Sequence, residues 1–262
     1  MNNIILSIII PAYNEEKRIG FTLEEFGKFF EEKKKEKELK DFEIVVVLNA
    51  CKDNTLNIVK EYKKKVKEIR FIEFEQGGKG FAITEGFKNA LSRKNNLIGF
   101  VDADMATSPK DFYDLAKNIN RYDGIIASRA VKGSKAEFTP IRKITHRGFN
   151  FVVRSLLFLP YHDTQCGAKI FRRHVLEKIV NEIGTTKWAY DIDLLYKIKK
   201  NGFKIKEHPT IWKDKEGSKL KVIKTTIQMF LAVVRLRMIY SPFRGVIKLY
   251  GKLPENLRIE KF

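Results

Sequence analysis

Residues 97 to 104 read LIGFVDAD, five residues without a polar side chain followed directly by two carboxylates separated by one alanine. An unbroken apolar run of this length is typical of a strand that is covered on both faces of a parallel sheet. Carboxylates in the loop after such a strand suit a hard cation that also binds a ligand's phosphate oxygens. We therefore predict that Asp102 and Asp104 bind a divalent metal, either Mg²⁺ or Mn²⁺.

Runs of the same kind occur on both sides of this stretch and alternate with charged helical patterns. Further strands are predicted over 4–10, 42–48, 69–74 and 124–127, with helices over 15–37, 54–65, 81–91 and 109–120. This alternation predicts an α/β fold with an open, Rossmann-like, doubly wound and mostly parallel sheet. Ligands bind such sheets beyond the carboxyl ends of the strands, where the polar motifs of this chain fall.

The second part of the chain has a looser pattern. We predict helices over 141–159, 174–183, 191–200 and 221–240, and short strands over 168–171 and 203–207. The last helix carries an apolar stripe on one side, formed by Ile223, Ile227, Leu231, Val234 and Met238. Basic residues lie toward its other side, so we expect residues 213–262 to form a basic amphipathic helical extension.

The charge of the chain is strongly positive. It has 51 Lys and Arg against 32 Asp and Glu, a formal net charge of +19, and residues 200–262 contribute about half of it. Such an excess favours nucleic acid, an acidic membrane surface or phosphorylated substrates as partners. Because no helix-turn-helix, RNP-like or zinc pattern is present, we do not expect nucleic acid to be the partner. Cys51 and Cys166 form no metal-ligand pattern, which favours a reducing cytosol.

The chain is not expected to span a bilayer, but it can lie on one. The apolar run at 4–10 lacks the basic start of a signal peptide, and no stretch of 18 apolar residues occurs. Besides the last helix, the helix at 141–159 is a candidate interfacial element because basic residues flank its apolar ones. The apolar residues are Phe149, Val152, Val153, Leu156 and Leu157, and the basic ones are Arg142, Lys143, Arg147 and Arg154. The alternative is that both helices simply cover the sheet.

Two more motifs follow predicted strands. PAYNEE at 11–16 comes after the first strand, and GGKG at 77–80 comes after the third and opens a helix. Glycines allow a backbone to approach a diphosphate closely, and the Lys79 ammonium adds positive charge there. The alternative for GGKG is an ordinary loop with clustered glycines.

Together with DAD and with YDID at 190–193, these motifs resemble, in the same order, those of the family 2 inverting glycosyltransferases with the GT-A fold. The second half resembles the dolichyl-phosphate β-glucosyltransferase branch of that family. Its motifs are DTQCGAKIF at 163–171, KWAYD at 187–191, Trp212 followed by EGSKL at 216–220, and RLR at 235–237. The resemblance implies a catalytic domain over 1–212, with a nucleotide-sugar half up to about 130 and an acceptor half after it.

The resemblance also implies roles for individual residues. Pro11, Tyr13 and Glu15 would line the nucleotide site, and Asp102 and Asp104 would hold Mg²⁺ or Mn²⁺ against the donor diphosphate. Asp191 matches the usual catalytic base, with Asp193 as the fallback. The residues expected to contact phosphate, sugar or acceptor are Arg129, Gln165, Lys169, Ser218 and Lys219.

Two departures from the family pattern affect these expectations. Relatives usually have VDDGSxD after the second strand, whereas this chain has LNACKD at 48–53, so the acidic pair that helps to hold the nucleoside is missing. Asn49 can still hydrogen-bond a base. Some relatives place a third polar metal ligand where this chain has Ala106, so water would complete the coordination shell.

The identity of the acceptor determines how much base catalysis the reaction needs. A sugar hydroxyl must lose its proton, whereas a lipid monophosphate, with a second pKa of about 6, is already largely ionised. The basic residues and the tail favour dolichyl or another polyprenyl phosphate as acceptor, with UDP-glucose as donor, at the cytoplasmic face of a membrane. The alternatives are another donor such as GDP-mannose, a saccharide acceptor, or a non-catalytic anion-binding protein.

Overall fold

The computed structural model describes residues 3–184, 189–213 and 219–241. Its first elements are β1 (Ile5–Ala12), α1 (Ile19–Lys35), β2 (Asp41–Asn49), α2 (Thr55–Lys65), β3 (Ile69–Phe74), α3 (Lys79–Leu91), β4 (Leu97–Val101), α4 (Pro109–Asn118) and β5 (Gly124–Ser128). The later elements are β6 (Lys135–Glu137), α5 (Pro140–Leu157), β7 (Ala168–Arg172), α6 (Arg173–Ile179), α7 (Tyr190–Lys200), β8 (Ile205–Pro209), β9 (Ile211–Lys213) and α8 (Lys219–Ile239). Every predicted strand and helix is present among them, with bounds shifted by a few residues.

Seven strands form one sheet in the order β3-β2-β1-β4-β7-β5-β8. Neighbours are parallel from β3 to β4 and again between β5 and β8, whereas β7 is antiparallel to both β4 and β5. Strands β6 and β9 pair in a separate small sheet that the sequence pattern does not predict. The prediction of an α/β fold with a mostly parallel sheet is confirmed.

Helices cover both faces of this sheet. On β1, Ile8 belongs to a core that includes Phe26 of α1 and Phe112 of α4. Its neighbour Ile9 belongs to a second core that includes Phe87 of α3. Because successive side chains of a strand point to opposite faces, a strand buried on both faces is apolar along its whole length.

Helix α1 begins at Ile19, four residues later than predicted. The carbonyl of Glu15 accepts hydrogen bonds from the backbone N–H groups of Arg18 and Ile19, both at 2.9 Å, so residues 15–18 form a turn. The Glu15 carboxylate also accepts two hydrogen bonds of 2.7 Å from the Arg18 guanidinium. The loop after β1 is therefore longer than expected, and it lies at the carboxyl end of the sheet.

Helices α5 and α8 pack against each other through a third core, which includes Phe149, Val153 and Leu157 of α5 and Val233 and Leu236 of α8. The prediction that these three α5 residues face a membrane is wrong, because they are fully or almost fully buried. They cover the protein interior, which agrees with the alternative prediction that this helix covers the sheet.

The apolar stripe predicted on α8 differs from the α5 residues in its exposure. Its members Leu231 and Met238 are exposed, and they lie across the helix from the buried Val233 and Leu236. The described part of α8 is thus apolar on two opposite sides. Among residues 3–184, 189–213 and 219–241, no helix is both long and apolar enough to cross a membrane.

Candidate active site

A cavity of about 830 Å³ lies at the carboxyl ends of β1, β2 and β4, beside the start of α3. Parallel strands present their carboxyl ends at one edge of the sheet, so motifs that are far apart in sequence meet there. The lining residues are Pro11, Tyr13, Glu15, Arg18, Asn49, Ala50, Gly77, Gly78, Lys79, Asp102, Ala103 and Asp104. All the residues predicted to bind the nucleotide and the metal from the first half, apart from Arg129, are among them.

The two carboxylates after β4 are partly exposed to this cavity. Asp104 Oδ1 accepts a hydrogen bond of 3.0 Å from the backbone of Ala106, so the residue at the family's third-ligand position stabilises the loop through its N–H group. No cluster of three or more metal-ligating side chains converges within the described residues. Two carboxylates fit a Mg²⁺ or Mn²⁺ ion that takes its other ligands from water and a diphosphate.

Lys79 contacts the first of these carboxylates. Its Nζ lies 2.5 Å from Asp102 Oδ1. Desolvation would lower the pKa of the Lys79 ammonium, but the nearby carboxylates of Asp102, Asp191 and Asp104 raise it above its usual value. Lys79 is therefore a permanent cation beside the predicted metal site, suited to a phosphate group.

The loop before β7 approaches Asp102 so closely that a side chain at residue 167 would displace the Asp102 carboxylate. The backbone N–H of Asp102 donates to the Gly167 carbonyl at 3.2 Å. A Cβ atom on Gly167 would collide with the Asp102 carboxylate. The glycine of the DTQCG motif thus sets the position of a predicted metal ligand, a role that the sequence analysis did not assign.

Asp191 lies in the first turn of α7, and the positively charged side chain of Lys169 on β7 contacts it. The fully buried Lys169 ammonium donates to Asp191 Oδ1 at 2.6 Å and to the Cys166 carbonyl at 2.6 Å. The ring of the preceding Tyr190 fills the space above Gly80, where a side chain would collide with it. The glycine loop and α7 therefore pack directly together, which brings Asp191 near Lys79.

Asp193 has a different environment from Asp191. Its side chain is 1% exposed, and its carboxylate lies 2.7 Å from Lys197 Nζ. The same carboxylate accepts hydrogen bonds from the backbone N–H of Gly184, at 3.1 Å, and from the Tyr240 hydroxyl at the end of α8. Asp193 thus joins α7 to α8, and three donors already occupy its oxygens.

Arg129, predicted to face phosphate or sugar, is bound by a carboxylate of its own chain. It donates to both oxygens of the buried Asp163, at 2.7 and 2.9 Å, and its guanidinium lies 5.3 Å from the centre of the Trp212 ring. Burial would raise the pKa of Asp163, but the charge and hydrogen bonds of Arg129 hold it far below its usual value. The sequence analysis missed this pair because its members are 34 residues apart.

The remaining predicted site residues lie outside the cavity lining or outside the described residues. Gln165 is partly exposed, and its backbone N–H donates to Asp163 at 3.2 Å. Ser218 lies outside the described residues, and so do Lys187 and Trp188 of the KWAYD motif. Lys219 is the first residue of α8, and its side chain is likewise outside the description.

One lining residue, Arg18, did not figure in the sequence analysis. Its guanidinium is bonded to Glu15, and the carboxylates of Asp104 and Asp102 contribute to raising its pKa. The available signal was the position of an arginine three residues after the glutamate of PAYNEE. The turn that brings the two together became visible only in the structure.

Comparison with known proteins gives a consistent result. The sequence model of the glycosyl transferase family 2 matches residues 7–180. A protein of Dictyostelium discoideum named dolichyl-phosphate beta-glucosyltransferase is 35% identical over 92% of this chain and 76% of its own length. The human protein of the same name is 31% identical over 91% of this chain and 77% of its own length.

A similar solved structure is that of glucosyl-3-phosphoglycerate synthase from Mycobacterium tuberculosis with Mn²⁺, UDP-glucose and phosphoglyceric acid. It superimposes with a TM-score of 0.66 at 14% identity, over 91% of this chain and 81% of that one. At this identity the likeness concerns the fold, and it confirms the predicted GT-A architecture.

Proposed function

The chain belongs to the glycosyl transferase family 2, and on this premise we propose that it transfers glucose from UDP-glucose to dolichyl or another polyprenyl phosphate. The observation that carries the proposal is the meeting of Asp102, Asp104 and Lys79 with Asp191 at one end of the sheet. The chain that arranges them matches, over nine-tenths of its length, relatives named for this reaction.

The cavity supplies what a nucleotide-sugar donor requires. Tyr13 is 57% exposed and offers an aromatic ring to a base. Asn49 is almost fully buried, and within the described residues its Oδ1 has no hydrogen-bond partner. A buried acceptor without a partner is costly, so it indicates a ligand donor such as the N3–H group of uracil. We propose that Pro11 and Glu15 complete the nucleoside site.

The residues around the diphosphate stabilise the negative charge that develops on it. A Mg²⁺ or Mn²⁺ ion, held by Asp102 and Asp104, would neutralise negative charge on the leaving nucleoside diphosphate. Lys79 adds a fixed positive charge at the same place. The acceptor phosphate oxygen forms a bond to the anomeric carbon from the opposite face. The bond from that carbon to the diphosphate breaks, its electron pair leaves with the diphosphate, and the configuration is inverted.

We propose that Asp191, rather than Asp193, serves the acceptor. Three donors already surround the Asp193 carboxylate, whereas Asp191 receives one from Lys169 and stays partly exposed. Because a lipid monophosphate is largely ionised near neutral pH, Asp191 would orient the acceptor or the sugar and need not remove a proton. With a sugar hydroxyl it would act as the general base.

Arg129 keeps a supporting role in this proposal because Asp163 already binds its guanidinium. We propose that Gln165, Ser218 and Lys219 contact the acceptor phosphate, whereas Lys169, which is fully buried and bonded to Asp191, orients that carboxylate instead of contacting phosphate as predicted. Since a polyprenyl phosphate resides in a bilayer, we place the enzyme at the cytoplasmic face of a membrane as a peripheral protein. The basic extension over 213–262 supports this location.

The test is nucleotide release from a panel of sugar nucleotides, with Mg²⁺ or Mn²⁺, and with and without a short polyprenyl phosphate. We expect UDP release from UDP-glucose that depends on the lipid and falls about a hundredfold or more in Asp104→Ala. Asp114→Ala, which removes a partly exposed carboxylate on α4, is the control and should keep wild-type activity.

Other results would change the proposal in defined ways. Release of GDP from GDP-mannose would reassign the donor. Nucleotide release that does not depend on the lipid would identify the acceptor as a saccharide or another hydroxyl compound. If no sugar nucleotide were turned over, the proposed function would be wrong.

A further inference from the structure

Two threonines beside the donor cavity are fully buried. Thr22 lies on α1 and Thr55 begins α2, and neither belongs to the lining of the cavity. Burying a hydroxyl costs free energy unless it forms hydrogen bonds, whereas valine has a similar shape and no such requirement. The hydrogen bonds of these two hydroxyls therefore show what the threonines contribute. Each of them joins a helix to a loop that carries predicted donor-binding residues.

Thr22 contacts the loop of the predicted metal ligands. Its Oγ1 lies 2.7 Å from the carbonyl oxygen of Ala103 and 3.2 Å from that of Arg18, one helical turn earlier. A hydroxyl has a single proton to donate, and the shorter contact assigns it to Ala103. Ala103 stands between Asp102 and Asp104, so this bond holds the middle of the metal loop against α1.

The backbone of the same loop makes a sharp turn. Met105, directly after Asp104, has a φ of 58°, in the left-handed region that residues other than glycine rarely adopt. Such a conformation costs free energy and persists where surrounding contacts hold it. The buried bond from Thr22 to Ala103, two residues before Met105, is one of these contacts. Its loss would free the turn and, with it, the direction of the Asp104 carboxylate.

Thr55 contacts the loop after β1. Its Oγ1 accepts a hydrogen bond of 2.8 Å from the backbone N–H of Glu15 and donates its own proton to Asp53 Oδ1 at 2.5 Å. The other carboxylate oxygen of Asp53 accepts from the backbone N–H of Glu16 at 3.1 Å. Glu15 lines the donor cavity, whereas Asp53 and Thr55 do not. These two residues therefore hold the predicted nucleoside wall through its backbone.

Two further bonds tie the same loops in the opposite direction. Asn14 Oδ1 accepts from the backbone N–H of Lys52 at 2.8 Å, and the Glu16 carboxylate accepts from that of Asn54 at 3.0 Å. Asn14 has a φ of 53°, so this loop too keeps a left-handed residue in place. The loops after β1 and β2 thus form one hydrogen-bonded unit, and Thr55 is its fully buried member.

We infer that Thr22 and Thr55 are positioning residues for the sugar-nucleotide donor. Thr22 sets the metal loop and Thr55 sets the nucleoside wall, and neither touches the ligand. The inference rests on the proposed donor site, but it concerns residues that none of the recognised motifs contains. Because the two hydroxyls hold different loops, their effects on metal and on nucleotide are separable.

The experiment is calorimetric titration of the full chain with UDP at a series of Mn²⁺ concentrations, without acceptor. Thr22→Val should raise the Mn²⁺ concentration that supports half of the maximal UDP affinity by about tenfold or more, the usual effect of removing a group that orients a metal ligand. Saturating Mn²⁺ should restore the wild-type UDP affinity, because only the metal loop is displaced.

Thr55→Val should give the opposite pattern. The backbone N–H of Glu15 loses its acceptor, so we expect the UDP affinity to fall roughly fivefold, the loss of about one hydrogen bond. Raising the Mn²⁺ concentration should not restore it, because the metal ligands keep their positions. In turnover assays the KM for the donor should rise at unchanged kcat.

Conservative and distant variants serve as controls. Thr22→Ser and Thr55→Ser keep the hydroxyls and should bind UDP as wild type does. Ser7→Ala removes a buried hydroxyl near the amino end of β1, which bonds to Glu43 at 2.6 Å. It should lower stability without changing UDP affinity or its metal dependence. Thr22→Ala and Thr55→Ala repeat the two losses with a smaller side chain if a valine variant does not fold.

The outcomes separate this inference from the proposed function. Unchanged metal dependence in Thr22→Val and unchanged UDP affinity in Thr55→Val would overturn the inference and leave the function intact. Equal losses in Ser7→Ala would overturn it as well, because the effects would then reflect stability alone. If the variants behave as expected but wild type transfers no sugar to lipid phosphate, the function is wrong and the positioning roles stand. If wild type binds no nucleoside diphosphate, both are wrong.

Discussion

The donor cavity and the region around Arg129 both lie toward the carboxyl ends of the strands, yet they use their charged groups differently. In the cavity, Asp102 and Asp104 are partly exposed, and the buried Asn49 oxygen has no partner within the described residues. In the other region, Asp163 and Asp193 are buried, and a cation of the chain binds each of them. The first arrangement keeps Asp102, with the Lys79 that contacts it, and Asp104 at the surface of a cavity that can hold a ligand, whereas the second buries its ion pairs and uses them to hold the chain together.

The difference follows from how the two regions are built. The cavity is formed by loops that leave parallel strands at the same edge, and hydrogen bonds between side chains and backbone tie the loops after β1 and β2 to each other. The stretch from β5 to β7 is much longer, with α5 between its ends, and it must return beside β4 in the antiparallel direction. The buried Arg129–Asp163 pair fixes this stretch, because removing one partner leaves an uncompensated buried charge.

The largest expected effect tests the structural side of this comparison. Asp163→Ala would leave the Arg129 guanidinium buried without its carboxylate, so we expect the free energy of unfolding to fall by about 3–5 kcal/mol. Denaturant unfolding measures the change. Asp104→Ala is the contrasting variant, and it should lose activity while its stability changes by less than about 1 kcal/mol. Equal stability losses in the two variants would remove the distinction between the regions.

The same pair predicts how stability depends on pH. Because Arg129 holds the pKa of Asp163 below its unfolded value, the pair stabilises the fold above that unfolded value of about 3.9. That stability is lost as the pH falls below it, with a slope of up to about 1.4 kcal/mol per pH unit. Unfolding measured from pH 5 downward should therefore show a shallower slope in Asp163→Asn. Parallel curves would contradict the role given to this pair.

A second variant tests whether the two regions depend on each other. Gly167→Ala places a Cβ against the Asp102 carboxylate and should displace it, so we expect turnover to fall about a hundredfold. Steady-state kinetics measure the effect, and circular dichroism shows whether the fold is kept. Gly148→Ala is the control, because nothing lies within 4 Å of its new Cβ. It should keep activity and gain up to about 1 kcal/mol in stability. Wild-type turnover in Gly167→Ala would show that the donor cavity tolerates movement of this loop.

The smallest expected effect concerns the unpaired oxygen of the cavity. Asn49→Ala removes one hydrogen bond to the nucleobase, a contribution of about 1 kcal/mol, so the KM for the donor should rise roughly fivefold at unchanged kcat. Asn57→Ala on α2 removes an exposed amide and should change neither constant. An unchanged KM in Asn49→Ala would mean that the buried oxygen is not kept for the donor.

The sequence was sufficient where structure follows from local pattern. Apolar runs predicted the strands of the main sheet, and the polar residues directly after them predicted most of the donor cavity, because parallel strands end at one edge. The sequence also showed that the acidic pair after β2 is missing, and this pointed to Asn49 as a hydrogen-bond partner for the base. The start of α1 was misplaced because residues 15–18 form a hydrogen-bonded turn ahead of the helix, and helical periodicity does not distinguish such a turn from the first turn of a helix.

Only the tertiary structure decided which charges pair and which helix faces are buried. Arg129 and Asp163 are 34 residues apart, and Asp193 and Tyr240 are 47 apart, so no local pattern links them. Periodicity identified apolar stripes on α5 and α8 but not their surroundings. The α5 stripe is in the core, whereas Leu231 and Met238 of the α8 stripe are exposed. Both helices are apolar on more than one side, and such a helix buries whichever side meets a partner, which is a property of the packed chain.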